Sequence, residues 1–175
     1  MKVLITGANG FVGLNIVNAL LAAKHQVTAY VRASSNLGFL EPLGVTLIHG
    51  ELNDSHSLRA AMTGQDAVIH TAGNTSSNPR DWPLLEAVNV DGTNRVIEAA
   101  LDSGIARLVY TSTSSTIGAP NDPLDEATEP DPSARFSGQE SVCQKQVAGR
   151  GAGLPRLRPW PFRRDPQSGG SAGGL

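Results

Sequence analysis

Only one of the 175 residues is a cysteine, Cys143. That excludes an internal disulfide framework, and with no paired Cys/His spacing there is no zinc signature either. Such a chain suits a reducing compartment. Charge is scarce and nearly balanced, with 17% of residues charged and a formal net charge of -2, so no electrostatic feature points to nucleic acid or an anionic membrane as partner. No apolar run approaches the ~20 residues that a membrane-spanning helix needs. The apolar stretch in "MKVLITGANGFVG" is short and follows a single lysine, which argues against a signal peptide. A cytoplasmic protein is expected. Aromatic residues make up 5%, and the tyrosines are two, Tyr30 and Tyr110.

What is present reads as one folded body. The length suits a single domain, and a hydrophobic content of 39% excludes wholesale disorder. Val3 to Ile5 form a β-branched run that breaks at Thr6-Gly7, and Phe11, Val12, Ile16, Val17, Leu20 and Leu21 then recur at helical spacing. Further strands are predicted over Val27 to Val31, Val45 to Ile48, Ala67 to His70 and Arg107 to Thr111. Helices are predicted over Leu58 to Met62 and from about Leu84 to Leu101. Strands alternating with helices imply right-handed crossovers and a parallel sheet covered on both faces: an α/β, doubly wound, Rossmann-like domain. From about Ala119 the chain turns rich in Pro and acidic residues, which predicts a long loop. After Val142 it changes again, to Gly, Pro and Arg without periodicity, ending in "QSGGSAGGL". A domain over 1–142 and a disordered, aberrant tail over 143–175 are therefore expected, so that the fold would be incomplete at its C-terminal end.

In "TGANGFVG", Gly7, Gly10 and Gly13 stand between a predicted strand and a predicted helix, with Asn9, Phe11 and Val12 completing the turn. A glycine permits the tight turn, another lets backbone approach a diphosphate, and a third lets helix pack on strand, while the helix N-terminus offers N–H groups to the anion. The first interval is one residue longer than in the ordinary dinucleotide fingerprint. Roughly 20 residues on, where an acid would bind the ribose hydroxyls of NAD, "AYVRASSN" has none, and Arg32 is placed to meet a 2′-phosphate. NADP is therefore favoured over NAD.

Four stretches in order, "TGANGFVG", "HTAGN", "NVDGTNRVIEAA" and "LVYTSTSSTIG", resemble the extended short-chain dehydrogenase/reductase family, and within it the NAD-dependent epimerase/dehydratase group and its dihydroflavonol-reductase-like branch. The resemblance covers Met1 to about Val142. It implies that Glu51 and Leu52 flank the adenine, and that Thr71, Ala72 and Gly73 lie under the ribose and nicotinamide side. It also implies that Asn89 holds the active-site architecture, and that Thr113 is the catalytic hydroxyl with Ser112 and Ser114 as neighbours. It further implies a small-molecule substrate and a homodimer formed through two long helices in the intact fold.

The resemblance also implies a Tyr-x-x-x-Lys pair on the next helix, the phenol acting as general acid/base with its pKa lowered by the lysine. Tyr30 and Tyr110 both fall on predicted strands, and the expected tyrosine position holds Cys143. The genetic code offers an explanation. Cys-Gln-Lys-Gln-Val-Ala-Gly-Arg can be written TGC CAA AAG CAA GTG GCT GGC AGA; with TA restored in front and G behind it reads Tyr-Ala-Lys-Ser-Lys-Trp-Leu-Ala-Glu. The tyrosine then falls at 143 and the lysine at 147, now Val147. A reading-frame shift just after Val142 is the expectation, and with it an oxidoreductase or epimerase/dehydratase of NADP-dependent, carbonyl-reducing type that is inactive in this form. Other readings stand beside it. "LPRLRPWP" echoes a family Leu-Arg-Pro and could belong to a divergent but genuine segment, the chain could be a non-catalytic dinucleotide-binding regulatory module, or it could be a destabilised fragment. Cys143 has no histidine partner nearby to activate it as a nucleophile.

Overall fold

The computed structural model describes residues 1–112. Thr113, Ser114, the acidic loop, Cys143, the domain boundary at 142/143 and the expected tail disorder all lie outside the described residues.

Five parallel strands form one sheet: β1 (Lys2–Thr6), β2 (Gln26–Val31), β3 (Thr46–His49), β4 (Ala67–His70) and β5 (Arg107–Tyr110), in the spatial order β3-β2-β1-β4-β5. Every pairing is parallel, with Val3 opposite both Val27 and Ala67. The order runs one way from β1 to β3 and the other way from β1 through β4 to β5. That reversal opens a crevice between β1 and β4 at the C-terminal ends of the strands, the position where doubly wound sheets bind ligands.

Side-chain alternation along β1 divides the core in two. Val3 and Ile5 point to one face and pack with Val17 of α1 (Phe11–Ala22), Ala29, Val31 and Leu40. Leu4 points to the other and packs with Val68, with Leu58 and Met62 of α2 (Ser55–Met62), and with Val96 and Ala99 of α4 (Thr93–Asp102). Leu4, Ile5, Val17, Leu58, Met62, Val68 and Val96 are each wholly buried, and burial of one such aliphatic side chain stabilises by roughly 1.5–3 kcal/mol. Asp54 starts α2 by accepting hydrogen bonds from the N–H groups of His56 and Ser57, at 3.1 and 3.0 Å.

The predicted strands and the first helix match the structure to within a residue or two at each end. The long predicted helix does not run uniformly. It consists of α3 (Trp82–Glu86), a π-helical stretch over Ala87–Gly92 and α4. A π insertion widens one turn of a helix and commonly marks a functional segment. Asn89 sits inside it.

Candidate functional site

The C-terminal ends of the strands bring the candidate residues to one edge of the sheet. Gly7 follows β1, Arg32 follows β2, Gly50 to Leu52 follow β3, Thr71 to Gly73 follow β4, and Ser112 lies two residues beyond β5.

Backbone dictates the turn after β1. Gly7 adopts φ 71°, in the left-handed region that residues with a Cβ rarely enter, and a Cβ there would stand 2.6 Å from the amide nitrogen of Ala72. The turn closes with the Gly10 N–H donating to the Gly7 carbonyl at 3.0 Å. A Cβ on Gly13, in the first turn of α1, would collide with that same carbonyl oxygen. Gly10 differs from both: a Cβ there would meet only the Gly7 oxygen, at 3.3 Å. Among the described residues no side chain caps the N-terminus of α1, and no acidic residue occupies its first turn. Asn9, Gly10, Phe11 and Val12 are exposed there, Phe11 by 87%. The partial positive charge of an uncapped helix start beside a glycine turn suits an anion.

On the far side of β2, Arg32 is exposed and its carbonyl accepts from the Ser35 N–H at 3.0 Å. Glu51 is exposed and Leu52 half-buried. Tyr30 of β2 fixes this segment from below, its hydroxyl donating to the Glu51 carbonyl at 3.0 Å and lying 3.1 Å from the Ser57 hydroxyl. Burial, first of all, raises the Tyr30 pKa above its ordinary value, so this phenol stays protonated and serves as a donor. Leu52 packs on Gly92, where a Cβ would come within 3.1 Å of its Cδ1.

The side toward β4 is assembled from side chains. Thr71 donates its hydroxyl to the Thr6 carbonyl at 2.8 Å, and the Ala72 N–H reaches the Thr6 hydroxyl at 3.4 Å. The segment is also held from the helix: Asn89, 3% exposed, accepts from the Asn74 N–H at 2.7 Å and donates to the Asn74 carbonyl at 2.8 Å. His70 lies beneath, wholly buried, with Nδ1 2.5 Å from the Thr6 hydroxyl and Nε2 3.0 Å from that of Thr93. Its ring stacks on Tyr110 at a centroid distance of 5.5 Å. Burial lowers its pKa to about 4, so it is neutral at ordinary pH.

Around the β1–β4 crevice Gly7 thus lies against Thr71 and Ala72, Gly13 against Gly7, and Gly73 against Asn89, while Arg32 stands at the end of β2. Ser112 is exposed at the same edge. Sequence reasoning did not single out Thr6, Asn74 or Thr93, nor the support that Tyr30 gives to Glu51. A polar residue at a strand end carries no signal of its own; only the pairing of distant segments gives these four a role.

The arrangement fits a dinucleotide. The turn from Gly7 to Gly13 presents the helix N-terminus that would hold a diphosphate, the β3 end presents an exposed acid and a half-buried apolar side chain that would flank an adenine, and the Thr71 to Gly73 segment presents a supported backbone edge that would face the other half. When bound, a nicotinamide dinucleotide supplies the capacity to accept or donate hydride. The residues just described would supply its binding and orientation.

The chain is similar to known proteins in sequence and in fold. The sequence profile of the NAD dependent epimerase/dehydratase family matches residues 3–140. A dihydroflavonol 4-reductase-like protein of Synechocystis is 40% identical over 118 residues, 67% of this chain and 34% of the relative. A 2-alkyl-3-oxoalkanoate reductase of Stenotrophomonas maltophilia is 37% identical over 128 residues, 71% of this chain and 37% of the relative. Among solved structures, a short-chain dehydrogenase/reductase superfamily protein of Agrobacterium tumefaciens with bound NAD superposes with a TM-score of 0.69 at 26% identity, over 86% of this chain and 43% of that one. The chain therefore spans little more than a third of the length of the two curated relatives. Sheet order, glycine turn and crevice agree with the profile match, and the chain belongs to the NAD dependent epimerase/dehydratase family of extended short-chain dehydrogenases/reductases.

Proposed function

We propose that the parent activity is NADP-dependent reduction of a small-molecule carbonyl. The observation that carries the cofactor choice is Arg32, exposed at the C-terminal end of β2 where no acid competes for the ribose hydroxyls. The reductase names of the two relatives support the reaction class over sugar epimerisation. In this reading the diphosphate rests on residues 7–13, Glu51 and Leu52 flank the adenine, and Thr71 to Gly73 lie under the nicotinamide half. Thr113 with Ser112 orients the reacting oxygen.

The general acid is what this chain lacks. Cys143 stands in place of the tyrosine and Val147 in place of the lysine, and loss of a positioned acid removes a factor of roughly 10²–10⁴ from the proton transfer alone. A frame shift after Val142 accounts for both losses with one event. The test has two arms. NADPH and NADH are titrated into the chain and into Arg32→Ala: NADPH is expected to bind more tightly to the native chain, and the preference to collapse by about tenfold in the variant. An unchanged preference removes Arg32 from the account. Carbonyl reduction is then assayed for the chain as it stands and for a version in the restored frame. Turnover is expected only from the second, and turnover by the first would refute the frame-shift reading.

A further inference from the structure

One buried titratable group at the crevice is unused by the reaction just described. His70 touches a hydroxyl through each ring nitrogen, Thr6 at Nδ1 and Thr93 at Nε2, and the partners decide which nitrogen carries the proton. The Thr93 hydroxyl has a single proton. It lies 2.7 Å from the Asn89 carbonyl oxygen, which can only accept, so the proton must sit between those two oxygens. At the end of the π-helical stretch the Thr93 N–H itself bonds to the Val90 carbonyl, so it is the Thr93 hydroxyl that reaches Asn89. Toward His70, Thr93 can then only accept, and Nε2 must bear hydrogen. Nδ1 of the neutral ring is left as an acceptor, the Thr6 hydroxyl donates to it, and the Thr6 oxygen is free to receive the Ala72 N–H.

All donors therefore run in one direction: Ala72 N–H to Thr6, Thr6 O–H to His70, His70 Nε2–H to Thr93, Thr93 O–H to the Asn89 carbonyl. The side chain of Asn89 returns to the loop by its two bonds to the Asn74 backbone. The path starts at residue 72 and ends at residue 74. Gly73, exposed between them, is the only link outside it. We propose that His70, held as its Nε2–H tautomer, is a positioning residue whose one-way chain of hydrogen bonds clamps both ends of Ala72–Asn74 and so fixes the backbone at Gly73. An imidazolium would donate from both nitrogens, forcing Thr6 to turn its own proton away from the ring, and among the described residues its hydroxyl has no bonded acceptor but His70, so the clamp works only with a neutral ring. Burial, with no charged partner among the described residues, keeps it neutral, and the Tyr110 ring covers one face. The consequence for cofactor binding rests on the dinucleotide reading above; the clamp itself does not.

The experiment uses the 175-residue chain with ¹⁵N-labelled histidine at neutral pH. Long-range ¹H–¹⁵N correlation spectra are expected to show His70 as a neutral ring protonated at Nε2. Thr93→Val, nearly isosteric but without the hydroxyl, is expected to remove that preference. It should also speed amide exchange at Ala72 and Asn74 about tenfold, and weaken nicotinamide dinucleotide binding by about five- to tenfold, the scale of one neutral hydrogen bond. Thr93→Ser is expected to restore all three. An Nδ1–H ring or an imidazolium in the native chain overturns the proposal. So does Thr93→Val with unchanged exchange at residues 72 and 74. If the native chain binds no dinucleotide while tautomer and exchange behave as stated, the clamp stands and the cofactor reading fails.

Discussion

The two walls of the crevice are built from different materials. Residues 7–13 form a wall of backbone, in which Gly7 and Gly13 are defined by the atoms they lack and the N-terminus of α1 provides the polarity. The wall at β4 is made of side chains, with Thr6, His70, Thr93 and Asn89 supporting the loop that follows the strand. A backbone wall has no titratable part and tolerates no added atom at its contact points. A side-chain wall tolerates small changes of shape but depends on where its protons are.

The largest effect is expected from breaking the backbone wall. Gly13→Val drives a branched side chain into the Gly7 carbonyl, and Gly7→Ala combines a positive φ with a contact to the Ala72 backbone. Each should cost at least about 3 kcal/mol, seen as a lower urea midpoint; a loss under about 1 kcal/mol would mean that the turn relaxes easily.

Acid should break the other wall first. Between about pH 6.5 and 4 an unfolded histidine takes up a proton that folded His70 refuses, so its contribution to stability falls as pH drops through that window. The total fall is on the order of 3 kcal/mol, and above pH ~6.5 this residue adds no pH dependence. Urea melts of the native chain and His70→Gln should therefore converge as the pH is lowered from 7 to 4. A constant gap would contradict the sign.

A smaller change, Asn89→Ala, removes both bonds to Asn74 and should cost about 2 kcal/mol in the same melts. Smallest is Asp54→Ala, which uncaps α2 away from either wall. It should cost about 1 kcal/mol and leave nucleotide affinity unchanged; a parallel loss of affinity would mean that the edge proposed for the adenine depends on that cap.

The same contrast explains what could be read from the residues. Gly7, Gly10 and Gly13 announce a turn because their spacing is local and falls between a strand pattern and a helix pattern. The strands were legible for a similar reason, since short β-branched runs such as Val27 to Val31 keep both faces buried. The clamp was not legible, because Thr6 and His70 are 64 positions apart and His70 and Thr93 are 23 apart. Only the parallel register of β1 with β4 and the seating of α4 bring them together. Nor does the π-helical stretch show in a pattern of apolar residues, since its apolar positions differ little from those of a continuous helix.

The central claim is that a diphosphate rests at residues 7–13, and Gly10 allows that to be tested at small cost to the turn: a Cβ there would meet one atom, the Gly7 carbonyl oxygen, at 3.3 Å, which has to give by a few tenths of an ångström. Gly10 has extended backbone angles, φ -80° and ψ 167°, and caps α1, so Gly10→Asp places a good N-cap residue there and points a carboxylate at the anion position. Calorimetric titration with NADP and NAD should show binding to the native chain and a loss of at least about a hundredfold in Gly10→Asp, with the melting temperature retained or raised. Equal binding by both proteins, or no binding by a folded native chain, would contradict it.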